Sequence, residues 1–177
     1  MEIFIVGLVV VALMVFVSTK IKASAAQAFE AETVDRAEFT LTKPQGFMTP
    51  VEARNGFAFE AYSREYGEKG MRNIHRAQAF LSVTEYLDFA AECEKARSSA
   101  ENILSERVLN GDAAGEKVCL LEIERSDQEG FPVIDFYKIV ESPQLGRTSK
   151  LQWSVLKDYR ETYIHETNEM INSFRLK

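Results

Sequence analysis

Residues 117–157, KVCLLEIERSDQEGFPVIDFYKIVESPQLGRTSKLQWSVLK, contain the pattern that decides the fold. Apolar and polar side chains alternate along three runs of this stretch, which is the period of β-strands with one buried face. Short polar loops join the runs, at Ser126–Gly130 and Pro143–Gly146, and loops of this length favour hairpins. Three consecutive antiparallel strands are therefore predicted. They are Lys117–Glu124, Pro132–Glu141 and Ser149–Lys157.

Three more strands are predicted before this stretch. Arg36–Lys43 alternates around two apolar residues and is followed by Pro44 and Gly46, which end a strand. Phe57–Tyr66 and Arg72–Val83 alternate in the same way, and the loop between them contains two glycines. These two runs are predicted to pair as an antiparallel hairpin.

Two helices complete the predicted domain. Thr84 can cap a helix over Glu85–Leu109, whose apolar residues recur every three or four positions. Asp158 begins a tail whose aromatic and aliphatic residues also share one helical face. The predicted fold class is therefore α+β, with an antiparallel sheet of about six strands packed with two helices over residues 36–177.

The N-terminal segment predicts a membrane anchor. Ile3–Val17 is entirely apolar or glycine, and the apolar stretch Ile3–Thr19 would form roughly 25 Å of helix. Lys20 and Lys22 follow it and can extend their ammonium groups toward lipid headgroups. We therefore predict a transmembrane anchor over residues 1–22, bound to the lipid bilayer, and a helical stalk over residues 23–35.

A cleaved signal peptide is the alternative interpretation, because Ala23-Ser24-Ala25 resembles a cleavage site. No basic residue precedes the apolar run, whereas two lysines separate it from that site, so an uncleaved signal anchor is favoured. The positive-inside rule then places the domain in the cytoplasm, since Lys20, Lys22 and Arg36 all follow the span. The charge difference is small, and the exported side stays open.

The charge of the chain limits its partners. Its net charge is −6, and it becomes one unit more negative when the first 22 residues are set aside. An acidic domain of this kind predicts no nucleic-acid partner, and anionic headgroups would repel it. Cys93 and Cys119 lie at apolar positions of predicted elements, which favours buried free thiols over a disulfide.

Two groups of residues are candidate sites. Trp153, Phe136 and Tyr137 lie on neighbouring predicted strands and could line an apolar ligand pocket, although packing on a sheet face is the simpler interpretation. The second group consists of Glu161, His165 and Glu169.

The four-residue spacing of the second group predicts one helical face, which could bind a divalent cation or raise the pKa of the histidine. An exposed face of ion pairs is the simpler interpretation. Ser98-Ser99 lies inside a predicted helix, without the context of a nucleophile, and Gly67 and Gly70 lack the spacing of a phosphate loop. No catalytic residue and no cofactor is therefore predicted.

Three segments resemble the PsbP-like family of small antiparallel-sheet domains. They are Phe39–Phe47, with a strand leading to a Pro-x-Gly-aromatic turn, Gly130–Glu141, similar to the central strand of the family, and Met170–Leu176, similar to its closing helix. The resemblance covers about residues 37–176. It implies a non-catalytic accessory or assembly domain with no active-site residues. Bacterial members are mostly exported, which is opposite to the orientation that the charges favour.

The predicted function is that of a single-pass membrane-anchored accessory protein that docks on, or helps to assemble, a larger membrane complex. Gly7 and Ala12 give the anchor small positions for packing against a helix of a partner. A small-molecule or lipid-binding domain tethered to the membrane is the alternative.

Overall fold

The computed structural model describes residues 2–50, 56–68, 73–86, 88–111, 113 and 115–177, and for residues 2–10, 23 and 25 the backbone alone. In chain order the helices and strands are α1 Glu2–Gln27, β1 Glu32–Asp35, β2 Phe39–Lys43, β3 Phe47–Met48, β4 Phe59–Ser63, β5 Ala77–Thr84, α2 Phe89–Ser98, β6 Asn102–Asn110, β7 Lys117–Ser126, β8 Pro132–Ser142, β9 Arg147–Leu156, α3 Ile164–Ser173 and β10 Arg175–Leu176. A short 3-10 helix, Lys157–Tyr159, follows β9.

The predicted α+β class is confirmed, but the sheet is larger than expected. Seven strands form one sheet in the order β3-β4-β5-β9-β8-β7-β6, and β1-β2-β10 form a second sheet. Every pairing in the seven-stranded sheet is antiparallel. The predicted hairpin of β4 and β5 is present, with Phe59 opposite Leu81, although residues 69–72 of its loop lie outside the described part.

Gly130 shows why the chain reverses between β7 and β8. Its φ of 86° lies in the left-handed region, where a side chain is disfavoured. The Asp127 carboxylate accepts hydrogen bonds from the amides of Glu129 and Phe131 at 2.9 Å and 2.8 Å. This Asx-type turn aligns β7 and β8 so that Leu121 lies opposite Tyr137.

The predicted helical stalk over residues 23–35 was wrong beyond Gln27. Helix α1 ends at Gln27, and Glu32–Asp35 forms β1, antiparallel to β2. Val34 lies opposite Leu41 and is buried in the core. Its β-branched side chain suits a pleated strand, so the contact with β2 outweighs the helical preference of the preceding alanines.

The predicted helix Glu85–Leu109 was wrong over its second half. Helix α2 ends at Ser98, and Asn102–Asn110 forms strand β6, antiparallel to β7. The apolar residues of this segment fit a helical period, but pairing with β7 satisfies the backbone of both segments. Sheet formation therefore overrides the local pattern.

Within the described residues, no helix combines the length and the apolar character needed to cross a membrane. The predicted span Ile3–Thr19 lies in α1, and its side chains up to residue 10 are outside the described part. The end of α1 is joined to the domain by hydrogen bonds. The Lys43 ammonium donates to the Ala28 carbonyl at 2.9 Å, and the Gly46 amide donates to the Phe29 carbonyl at 2.7 Å.

Strand β8 divides the core into two parts because its side chains alternate between the two faces of the sheet. Tyr137 and Ile139 face α2 and form one core with Leu121 of β7 and Cys93 of α2. Val140 faces the other side, where α3 and the three-stranded sheet cover the larger core around Trp153. The molecule is therefore a sheet with α2 on one face and α3 plus the small sheet on the other.

Two charged side chains of β8 hold the helices in place. Lys138 is buried and donates hydrogen bonds to the carbonyls of Ile171 and Phe174 at the end of α3, both at 2.9 Å. Glu141 is buried on the opposite face and accepts a hydrogen bond from the amide of Phe89, the first residue of α2, at 3.1 Å. Each charge lies at the helix end of opposite partial charge, which stabilises the contact.

Replacing Lys138 by Met should destabilise the domain by about 1–3 kcal/mol, because the carbonyls at the end of α3 would lose a charged donor while they stay buried. Chemical denaturation measures the free energy of unfolding. Lys157→Met is the matched control, since Lys157 forms an exposed ion pair with Glu124 and should cost less than about 1 kcal/mol. Equal losses in the two variants would contradict the proposed role of Lys138.

The ion pair between Glu92 of α2 and Lys150 of β9 should make stability depend on pH. Burial opposes ionisation of Glu92, but Lys150 and Lys95 outweigh it and lower its pKa. A carboxylate with a lowered pKa stabilises the fold above its unfolded-state pKa, and this contribution is lost as the pH falls through the folded-state value.

Glu92→Gln should therefore lower the free energy of unfolding at pH 7. The difference from wild type should shrink as the pH falls below the ordinary pKa of glutamate and disappear below the lowered folded-state pKa of Glu92. Denaturation at a series of pH values measures this difference. Glu94→Gln, at a side chain that is 72% exposed, should show a smaller dependence. A difference that stays constant down to acid would contradict the assignment.

Candidate interaction surface

Strand β6 presents apolar side chains to solvent. Ile103, Leu104, Val108 and Leu109 are each between 43% and 57% exposed, and every residue of the strand is exposed. We call these four side chains and the strand backbone the β6 surface. These apolar side chains lie on both faces of the strand, with Val108 opposite Cys119 and Leu109 opposite Val118, and exposed apolar surface of this kind at a sheet edge is typical of an interaction site.

The backbone of β6 is also open on one side. The strand lies at the end of the seven-stranded sheet, and within the described residues it pairs with β7 alone. A strand in this position has backbone N–H and C=O groups that point away from the sheet and can bind another strand. One irregularity interrupts the register of β6 with β7, between Ile103 and Ser105, and the regular part of the edge therefore runs from Ser105 to Asn110.

A shallow groove adjoins this regular part on the α3 face of the sheet. It has a volume of about 250 Å³, and its apolar lining comes from β6, β7 and the last residues of the chain. Glu116 and Arg175 also border it. The apolar lining residues include Leu109, Val118, Leu120, Ile171, Phe174 and Leu176.

Two carboxylates, Glu94 and Glu106, lie on the α2 face of the same edge. Arg97 of α2 donates to the Glu106 carboxylate through Nε at 3.0 Å and to Glu94 through Nη1 at 3.2 Å. These carboxylates raise the pKa of Arg97, so the guanidinium stays charged. Glu94 and Glu106 share this one cation, so these three groups together carry one negative charge.

The structure separates the three residues of the predicted apolar pocket. Trp153 is fully buried on the α3 face, with its ring 4.8 Å from that of Phe47. Phe136 lies opposite Trp153 on that face, whereas Tyr137 points to the α2 face. The indole N–H of Trp153 has no hydrogen-bond partner among the described residues.

Tyr137 belongs to a buried polar network instead. Its hydroxyl donates to Asp135 at 3.0 Å, and Arg125 and Gln152 donate to the same carboxylate at 2.6 Å and 2.9 Å. Burial, together with Asp135, raises the pKa of Tyr137. These hydrogen bonds satisfy the buried carboxylate, as a core site requires, and they link β7, β8 and β9.

The three residues of the predicted metal or pH site lie around the start of α3. His165 is exposed and Glu169 is half-buried, both within the helix. Glu161 precedes the first helical residue, Ile164, and pairs with Arg160. The helical spacing therefore does not apply to Glu161. The described part of the chain contains no cluster of three or more His, Cys, Asp or Glu side chains suited to a metal ion.

Cys93 of α2 and Cys119 of β7 are free thiols in the smaller core. Burial, with Cys119 nearby, raises the pKa of Cys93 to about 12. Burial also raises the pKa of Cys119. Both thiols are therefore protonated near neutral pH, and they pack as small apolar groups.

The sequence interpretation missed the β6 surface because it assigned this segment to a helix. A usable signal was present, since Ile103-Leu104 and Val108-Leu109 form a nine-residue run with Asn102 and Asn110 at its ends. Asparagine is depleted in strands and common in turns, so this pattern is typical of a bounded strand.

No protein-family model matches the chain, and no curated protein matches it in sequence. Solved structures do match in fold. The cyanobacterial PsbP protein of Synechocystis sp. PCC 6803 is 11% identical with a TM-score of 0.56, and the match covers 84% of this chain and 94% of that protein.

Two further solved structures are similar to this chain in fold. LpqN of Mycobacterium tuberculosis is 15% identical with a TM-score of 0.55, covering 84% of this chain and 91% of that one. The Ran-binding protein Mog1p of Saccharomyces cerevisiae is 12% identical with a TM-score of 0.51, covering 84% and 96%. At these identities the likeness establishes the fold alone, and the domain has the PsbP-like fold that the resemblance in sequence implied.

Proposed function

We propose that this protein is a non-catalytic accessory protein, held at a membrane by its N-terminal helix, whose domain binds a protein partner through the β6 surface. The observation that carries this proposal is the exposed apolar edge at Ile103, Leu104, Val108 and Leu109. Burying these side chains against a partner would remove apolar surface from water, which is the main favourable term in protein association.

The structures of similar fold agree with an interaction role. Mog1p is described as a Ran-binding protein, and LpqN as involved in cell envelope biogenesis. An accessory or binding domain of this fold needs no catalytic centre. Asp135 accepts hydrogen bonds from Arg125, Tyr137 and Gln152 within the domain, which supports a structural role for this network.

The proposed tether and the β6 surface lie at opposite ends of the sheet. Residues Ala28 and Phe29, directly after α1, are bonded to Lys43 and Gly46 beside β3, which is one edge strand. Strand β6 is the other edge, six strand spacings away. At about 4.8 Å per spacing the separation is roughly 29 Å, which leaves the β6 surface clear of the tether and open to a partner.

A photocrosslinking amino acid at Val108 in the full chain should yield one discrete adduct in gently solubilised membranes of the source cells. The same amino acid at Leu145 is the matched control, because Leu145 is 42% exposed in the loop between β8 and β9. The double variant Val108→Glu, Leu109→Glu should no longer migrate together with the protein partner. Its melting temperature should be nearly that of wild type, as expected for substitutions at exposed positions. A monodisperse monomer without an adduct at Val108 would contradict the proposal.

The membrane tether has its own test. The wild-type chain should stay in the membrane pellet during alkaline extraction, because Ile3–Thr19 would lie in hydrocarbon. Val11→Arg at the middle of this stretch should release much of the protein, since a central arginine costs about 2.5–3.5 kcal/mol of insertion. Ser24→Arg, beyond the stretch, serves as the control and should behave like wild type. Release of the wild-type chain would refute the tether and leave the β6 surface unaffected.

A further inference from the structure

We infer that β6 binds an extended segment of its protein partner as an eighth strand of the sheet, and that this segment carries an apolar side chain on one face and a Lys or Arg side chain on the other. This inference rests on the proposed function, because it specifies how the same surface would hold its partner. Strand addition is a common way for a sheet edge to bind an extended peptide.

The backbone of β6 provides the first part of the argument. Residues Ser105–Asn110 continue a regular antiparallel ladder with β7, from Glu122 to Lys117, so their outward N–H and C=O groups have the spacing that a further strand needs. The edge is exposed along its whole length. An added strand would therefore complete hydrogen bonds that the described strands leave open.

The alternation of β6 determines which side chains the added strand would meet. Glu106 and Val108 lie opposite Leu121 and Cys119, which face α2. Arg107 and Leu109, which alternate with them along the strand, face the other way, toward α3. Successive side chains of the added strand would point alternately to these two faces.

The α3 face offers a place for an apolar side chain. Leu109 forms one wall of the groove, and Val118 and Leu120 of β7 form its floor beside the end of α3. Its volume of about 250 Å³ is large enough for one aliphatic or aromatic side chain. A residue of the added strand opposite Leu109 would lie about 5 Å from it, at the rim of this groove.

The α2 face favours a basic side chain. Glu94 and Glu106 share Arg97, and the remaining negative charge borders the position that a residue opposite Glu106 would occupy. A Lys or Arg there would pair with this charge, whereas an acidic residue would be repelled. The basic and apolar residues of the partner segment are therefore separated by an odd number of positions, because they point to opposite faces.

A second copy of this chain fits the edge poorly. Two identical antiparallel strands related by a two-fold axis place the central residue opposite itself. An axis at Glu106 or Arg107 would bring like charges directly opposite each other, which is destabilising. An axis at Val108 would place Glu106 opposite Asn110 and Arg107 opposite Leu109, which gives neither charge a partner of opposite sign. The irregularity at Ile103 and Ser105 also limits the length of such a pairing. The partner is therefore a different protein.

Three synthetic nine-residue peptides would test this inference on the purified full chain in detergent. The first is threonine-rich, with a central Leu flanked on both sides by Lys. The second has Glu in place of Lys, and the third is the Lys peptide with N-methyl groups on alternate backbone nitrogens, which block strand pairing. Fluorescence anisotropy measures the affinities, and amide shifts of Ser105–Asn110 report the site.

The Lys peptide should bind about tenfold more tightly than the Glu peptide, as expected for replacing one attractive pair by a repulsive one. The N-methylated peptide should not bind. Glu94→Gln combined with Glu106→Gln should reduce the preference for Lys, and Leu109→Glu should weaken binding of the Lys peptide, while Leu145→Glu at another exposed site should change neither.

Several results would overturn the inference. They are no detectable binding of the Lys peptide, equal binding of the N-methylated peptide, equal binding of the Glu peptide, shifts outside β6, or a concentration-dependent dimer that Val108→Glu abolishes. Failure here combined with a discrete crosslink at Val108 would refute strand addition and retain the interaction surface. Failure of both experiments would refute the proposed function as well.

Discussion

The central position of β8 is the constraint on which the rest of the domain depends. Its odd and even side chains face different cores, and each face carries one charge that holds a helix end: Glu141 binds the start of α2 and Lys138 binds the end of α3. Both charges are buried, so each is stable only with its partner in place. The helices are therefore fixed to the sheet at defined ends, not only by apolar contact.

This arrangement explains why one edge of the sheet is left open. Helix α2 has ten residues and covers the part of its face formed by β7 and β8, where Cys93 and Ala96 are buried. The chain then reverses after Ser98 and adds β6 outside the area that the helix covers. The apolar side chains of β6 consequently have β7 on one side and solvent on the other, and an edge of this kind needs a partner or protective charges. The proposed partner strand would satisfy that need.

The sequence predicted much of the sheet and little of the site. Three strands from Lys117 to Leu156 and the hairpin of β4 and β5 followed from alternation and loop length, and the structure confirms them. Strand β6 was predicted as helix because Ile103 and Leu104 continue the three- and four-residue apolar spacing of the residues before them. Strand β1 was predicted as part of a stalk because alanine-rich sequence favours helix. In both segments the deciding contacts are made with strands distant in sequence.

The sequence by itself determined the antiparallel α+β class, the acidic charge of the domain and the resemblance to the PsbP-like proteins, because these properties depend on local periodicity and composition. The tertiary structure alone decided that Trp153 and Tyr137 lie on opposite faces of the sheet, that Glu141 and Lys138 bind helix ends, and that Asn102–Asn110 forms an open edge. The physical reason is that register and edge position depend on which strands pair. The favoured pairing is the one whose long-range contacts have the lowest free energy, and no single segment encodes those contacts.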